Sequence, residues 1–199
     1  MRLPSVVSVL ALAATATTLH AQGPMRVAPS GRATTEVELT FVDSAARAAA
    51  QPAKIRIDYG QPHLRGRRLG TDSLVPYDKV WRTGANAPTT LTTDVDLVIG
   101  GANVPKGSYI LQTIPGRTGW KLMIQRNGAQ SQAAPSTAFD PAIDVARVDL
   151  RQMTLPLAVE SLTFWLIPTL QPAGQTGAPR GELRLAWGTI GLATDWSVR

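Results

Sequence analysis

Apolar side chains recur at every second position along most of this chain, and that period decides what it can fold into. Val37, Leu39 and Phe41 alternate with Glu36, Glu38 and Thr40. Ile55, Ile57 and Tyr59 alternate with Lys54, Arg56 and Asp58. Leu91, Val95, Leu97 and Ile99 share one face, with Thr92, Asp94 and Asp96 on the other. Trp120, Leu122 and Ile124 repeat the pattern, as do Leu183, Leu185 and Trp187. Successive side chains of an extended strand point to opposite faces, so each run predicts a strand with one buried face. Tyr109 to Ile114 and Leu162 to Ile167 are apolar on both faces and predict central strands. By the same alternation Trp120, Trp165 and Trp187 are expected in the core.

Turn residues separate these runs: Gly100-Gly101, Pro105-Lys106-Gly107, Pro115-Gly116 and Asn127-Gly128. Val104 to Gly107 has Pro second and Gly fourth, the order of a type I turn, and predicts a hairpin. Helix is confined to the Ala-rich Asp43 to Gln51, capped by Asp or Ser and stopped by Pro52, and to one turn within Ala138 to Ala146. The fold class that follows is all-β: an antiparallel β-sandwich, jelly-roll-like, with little helix.

The first residues follow a different rule. Met1-Arg2 is basic, Val6 to Leu19 is apolar apart from Ser and Thr, and Ala21 is small. This order predicts a signal peptide over residues 1–21. The run falls short of the about 20 apolar residues a spanning helix needs. Residues 22–35, mixing Gly, Pro, Arg and Ser, read as a flexible arm, and residues 36–199 as a single β-sandwich domain. The expectation is an exported chain, periplasmic or extracellular, with no membrane span after signal removal. The chain has no cysteine, which excludes disulfides, thiolate metal sites and a lipid-bearing N-terminal Cys. Its formal charge of +6 is dispersed, and no basic stripe or motif points to nucleic acid.

Beyond residue 21 the sole imidazole is His63, too few for a histidine metal site. No G-x-S-x-G is present, and no Gly-rich phosphate loop. Glu36, Glu38, Glu160 and Glu182 lie in strand patterns, and none stands out as half of a glycosidase pair. No metal and no cofactor is therefore expected. What remains is the stretch from Tyr59 to Thr90, where the alternation stops. Irregular segments of this length inside a compact domain are usually functional, and this one is expected to cover one open end of the sandwich. It carries Arg65, Arg67, Arg68, Lys79 and Arg82 against Asp72 and Asp78. Converging guanidiniums make an anion site. Alternatively, the same arginines pair with Asp58, Asp94, Asp96 or Asp144 and pin the segment down.

Within and after this segment come Y-G-Q-P, G-R, V-P-Y-x-x-V-W-R-T-G-A-N, P-x-G-x-Y and F-D-P-x-x-D-V-x-R-V. In that order they resemble a family of exported bacterial proteins known as domain of unknown function 2911, over roughly residues 30–191. The matching positions are Tyr59, Gln61, Pro62, Gly66, Arg67, Pro76, Tyr77, Trp81, Arg82, Gly84, Ala85, Asn86, Gly107 and Tyr109. The chain departs from the family at Gly31, where Pro is usual, and at Ala87, where an acid is usual. It also has Pro135-Ser136-Thr137 in place of a Gly-Trp-Gly-like stretch. Some members carry names borrowed from asparagine synthetase, but this chain has no Cys nucleophile and no nucleotide loop.

The ligand-binding candidates are Tyr59, Gln61, Arg67, Tyr77, Trp81, Arg82, Asn86 and Tyr109. Their aromatic faces and directional donors suit an anionic or carbohydrate ligand. Two other readings stand beside a binding domain. One is a saccharide-acting hydrolase or lyase with Tyr59 or Tyr109 as general acid–base. The other is a structural or assembly protein of the envelope. In a purely structural reading Trp81 plugs the sandwich end, Gly84 turns the chain, Asn86 caps the turn and Arg82 reaches an acid.

Overall fold

The alternating runs form strands β1 (Ser30–Leu39), β2 (Ala53–Pro62), β3 (Thr89–Thr93), β4 (Leu97–Ile99), β5 (Ala102–Val104), β6 (Gly107–Ile114), β7 (Trp120–Arg126), β8 (Asp144–Pro168) and β9 (Arg180–Val198). This computed structural model describes residues 24–71, 73–128, 136–172 and 177–199. The expected signal segment, Asp72 and Pro135 lie outside the described residues. A short helix, α1 (Ser44–Ala49), follows β1, and the Asp43 side chain accepts from Ala46 N at its start, 2.7 Å. The cap residue is the Asp that the sequence offered, and Pro52 keeps the chain from continuing helical.

All strand pairs are antiparallel and join one sheet in the order β1-β2-β3-β6-β7-β8-β9-β4-β5. Hydrogen bonding does not split these strands into the two sheets expected of a jelly roll. β8 is the shared element: Asp144 to Leu150 pair with β7, and Arg151 to Pro168 pair with β9. The sheet thereby wraps around one apolar interior, with Ile55, Ile57, Leu91, Leu111, Leu122, Ile124, Leu162 and Trp187 almost wholly buried.

The wrapped sheet is closed by side chains. Gln61 Nε2 donates to Leu162 O at 3.1 Å. Phe164 N donates to Tyr59 Oη at 3.2 Å, and Leu166 N to Thr35 Oγ1 at 3.2 Å. Three alternate residues of β8 thus find partners on β1 and β2 without a strand ladder. Buried backbone groups must be paired, and here polar side chains do it.

Several local expectations change. Strand pairing begins at Ser30, opposite Pro62, so residues 30–35 are strand and not loose arm. β1 borders the sheet, and an edge strand needs little apolar patterning to be held by its backbone bonds. Leu91 to Ile99 is two strands, because the chain turns at residues 94–96 and β4 leaves to pair with β9. The Pro105-Lys106-Gly107 turn is a corner, not a hairpin: β5 pairs with β4, whereas β6 pairs with β3 and β7. The true hairpin is at Gly100-Gly101, with φ of +53° and +85°, the two positive values a two-residue type I′ turn needs. β6 is central as expected, but Leu162 to Ile167 has one face open. Trp165 and Ile167 are each 39% exposed, which overturns the core assignment of Trp165.

Candidate functional site

Residues 63–71 and 73–88 form a strap over one end of the interior. Leu64, Val75 and Thr83 are buried. Leu64 N donates to Glu160 O at 2.8 Å and Asp78 N to Pro115 O at 2.8 Å. Trp81 and Thr113 exchange backbone bonds, 2.8 and 2.9 Å. All the positive-φ residues other than glycine among the described residues lie here: Arg65, Val75, Asp78, Thr83 and Asn86. Such conformations cost energy and persist where surrounding contacts impose them.

The V-W-R-T-G-A-N stretch is in large part the brace of the structural reading. The Trp81 ring stacks on Trp187 with centroids 5.7 Å apart and meets Trp120 edge-on at 6.1 Å. Thr83 Oγ1 lies within hydrogen-bonding distance of Trp81 O and of Thr113 Oγ1, at 3.1 and 3.0 Å, donating its one proton to the carbonyl and accepting from the Thr113 hydroxyl. Asn86 Nδ2 donates to Ser30 O at 3.1 Å. Gly60 faces this turn so closely that a Cβ there would stand 1.8 Å from Ala85 O. Arg82 is the exception: it is exposed, reaches no acid among the described residues, and touches Asn86 O at 3.4 Å.

The other predicted ligand residues are not brought to one place. Tyr59 is buried against Phe164, with ring centroids 4.8 Å apart. Tyr59→Phe is therefore expected to leave Phe164 N–H unpaired and to cost about 1–3 kcal/mol by chemical denaturation. Gln61 is committed to Leu162 O. Arg67 donates to His63 O and Leu64 O, at 2.8 and 2.9 Å. Tyr77 lies under the Arg117 guanidinium, 4.8 Å away. Tyr109 is 7% exposed, donates to Pro105 O at 2.6 Å, and its phenol is pushed up by burial. Both tyrosines proposed as acid–base groups are largely buried, with their hydroxyls bonded to backbone.

The acids offered as partners for the strap arginines are engaged elsewhere. Asp58 accepts from Arg56, which with Thr34 holds its carboxyl at about 2. Asp94 and Asp96 accept from the backbone N–H of Lys54 and Lys106. Asp144 pairs with Arg147. Among the described residues, none of Arg65, Arg67, Arg68, Lys79 and Arg82 forms an ion pair.

A polar cluster that sequence reasoning passed over lies on the outer face of β6, β7 and β8. Gln112 pairs with Met123, and Met123 with Arg147; Ile110 pairs with Gln125, and Gln125 with Asp144. Ile110, Gln112, Met123, Gln125 and Asp144 are all buried. Asp144 accepts from Gln125 Nε2 at 2.8 Å, from Asp140 N at 3.0 Å, and from Arg147 at 2.8 Å. Arg147 also donates to the carbonyls of Ser136, Thr137 and Ala138 and stands over the Phe139 ring. The F-D-P-x-x-D-V-x-R-V motif is thus a folded unit built on this face. Two amide carbonyls of this face, Gln112 Oε1 and Gln125 Oε1, are buried without a donor among the described residues.

Register joins this cluster to the strap. Trp81 and Thr113 form an antiparallel bridge with their side chains inward. Arg82, the residue after one, and Gln112, the residue before the other, therefore fall on the opposite, outer face. The signal missed in the sequence was the pair of glutamines, diagonal neighbours on adjacent strands, in otherwise apolar runs. Another pairing unread in the sequence is His63 Nδ1 with Ser161 Oγ at 2.7 Å, which ties the end of β2 to β8.

The fold and this face define an antiparallel β protein whose end is capped by a basic strap and whose outer face carries an enclosed polar cluster. No curated protein and no solved structure matches the chain. The chain belongs to the family described as Protein of unknown function (DUF2911), whose family model matches residues 43–194.

Proposed function

We propose that this is an exported binding protein for a hydroxylated anion, such as a sugar acid, taken on the outer face beside Arg82. The observation that carries the reading is a pair of buried carbonyls, Gln112 Oε1 and Gln125 Oε1, that have no donor among the described residues, on the same face as an exposed guanidinium with no acid partner among them. A buried carbonyl left without a donor costs stability, and hydroxyl groups of a ligand are suitable donors. The Arg82 fork is suited to a carboxylate. An uncharged sugar answers one half of this site and a simple carboxylate the other.

Titration calorimetry with glucuronate, with glucose and with acetate tests the reading. Glucuronate is expected to bind more tightly than either half-ligand. Arg82→Gln is expected to weaken glucuronate and leave glucose unaffected. Gln112→Met keeps the side-chain length and removes the orphan carbonyl, so it is expected to abolish binding while holding or raising the melting temperature. Equal affinity of Gln112→Met and the unchanged protein for glucuronate would sink the proposal, as would no uptake of glucuronate at all.

A further inference from the structure

The long β8 carries a second unassigned surface, in the half of the strand that pairs with β9. Between Thr154 and Val159 its pairing with β9 breaks: Thr154 faces Ile190 and Val159 faces Gly188. The extra residues, Leu155-Pro156-Leu157-Ala158, bulge from the sheet. Leu157 is 81% exposed, while Met153, Trp165 and Ile167 are each about two-fifths exposed. Together with Leu155 and Val159 these residues line an open apolar groove of about 410 Å³. Leu155 and Met153 lean over Gly191, where a Cβ would come within 2.9 Å of each. Contiguous apolar surface of this kind marks a contact site rather than ordinary surface scatter.

The groove adjoins the tip of the strap. Leu64 N and Arg65 N donate to the backbone and side-chain oxygens of Glu160, next in sequence to Val159, at 2.8 and 2.7 Å. Leu64 and Leu69 both approach Gly188, the residue facing Val159. Arg65 and Arg68 are exposed there, and neither guanidinium has a carboxylate partner among the described residues. Apolar side chains standing proud beside unneutralised arginines make the combination that interfacial binding uses. The apolar part enters the acyl boundary, and the cations meet anionic headgroups.

We infer that the β8 bulge and the strap tip form one surface that docks on a bilayer containing anionic lipid. Charge selects this partner: a second copy of the chain would set arginine against arginine. The inference does not use Arg82 or the glutamine cluster and stands apart from the sugar-acid reading. The docking is peripheral, and no helix among the described residues is long and apolar enough to span.

Co-sedimentation with vesicles of phosphatidylcholine, with and without phosphatidylglycerol, tests it. Binding is expected with phosphatidylglycerol, to weaken with added salt, and to be much poorer on phosphatidylcholine alone. The Arg65→Gln/Arg68→Gln double variant and Leu157→Ser each alter exposed side chains, so their melting temperatures serve as the folding control. Each is expected to bind roughly tenfold more weakly or worse. Three results would overturn the inference. The first is unchanged vesicle binding by either variant. The second is capture of soluble dextran sulfate with no uptake by vesicles, which makes the arginines a polymer site. The third is a dimer in sedimentation equilibrium that Leu157→Ser dissolves, which makes the groove a contact between copies.

Discussion

Asp144→Ala is expected to destabilise the protein by about 3–5 kcal/mol, because it strands a guanidinium among buried groups. The Asp144 side chain has no solvent exposure, and that of Arg147 has 14%. Removing the carboxylate orphans three donors at once: Gln125 Nε2, Asp140 N and one edge of Arg147. The remaining Arg147 bonds go to the carbonyls of residues 136–138, which cannot neutralise its charge. Urea unfolding gives the check: the midpoint should fall while the slope holds, since the surface exposed on unfolding is little altered. Asp144→Asn separates charge from shape. It preserves volume and one acceptor, and its loss should still be large, since an amide nitrogen would then face the guanidinium. Arg147→Met in the Asp144→Leu background removes both charges, and it should recover much of the loss if the cost is the uncompensated ion. A loss below about 1 kcal/mol in Asp144→Ala would mean that water reaches the pair and screens it, as at surface ion pairs.

That cluster also shows what the sequence could and could not convey. The alternation of β2, β7 and β9 was legible because each has one face in the interior, and burial writes period two directly into the residue types. The capped helix at Asp43 was legible because capping is local. Pairing was not. Nothing in Pro105-Lys106-Gly107 says that β5 turns away to β4, since a corner and a hairpin use the same turn residues. β8 misled for a physical reason: an apolar outer face reads as a central strand whether or not anything covers it. Trp165 and Ile167 belong to that uncovered face.

The candidate site was legible in part. The V-W-R-T-G-A-N stretch marked the right region, but its residues divide by face. Trp81, Thr83 and Gly84 turn inward to hold the strap, and Arg82 is left outside. Tyr59 and Gln61 looked like ligand groups because they are polar at a strand end. Their polar atoms are instead the closure of the sheet onto β8. Gln112 and Gln125 drew no notice because a single glutamine within an apolar strand resembles a wet position. Only the register, which places them on adjacent strands of one buried face, distinguishes them.

Trp81→Ala is the second substitution with a large expected effect, and it decides how the strap is held. The ring is sandwiched by two buried tryptophans, stacked on Trp187 at 14° and edge-on to Trp120 at 87°. Truncating a packed aromatic to alanine costs about 3–5 kcal/mol, of which each aromatic contact contributes about 0.5–1.5 kcal/mol beyond area. For a domain of this size that is a loss of roughly 10 °C in melting temperature. Trp81→Phe keeps an aromatic in the stack and should lose far less. Two ways of failing are distinguishable. If strap and sheet unfold together, the melt stays single and trypsin cuts the native variant no faster than the parent. If the strap opens alone, trypsin cleaves the folded variant at Arg65, Arg67, Arg68, Lys79 or Arg82, while the near-ultraviolet signal of Trp120 and Trp187 changes without a shift in the main transition. The backbone exchange between Trp81 and Thr113 and the buried Thr83 favour the first, because the strap is hydrogen-bonded into β6 as well as packed upon it. A strap that unfolds only with the sheet keeps Arg82 in place until the main transition, so Trp81→Ala should bind glucuronate as the parent does well below its melting temperature, and weakened binding there would mark a strap that opens alone.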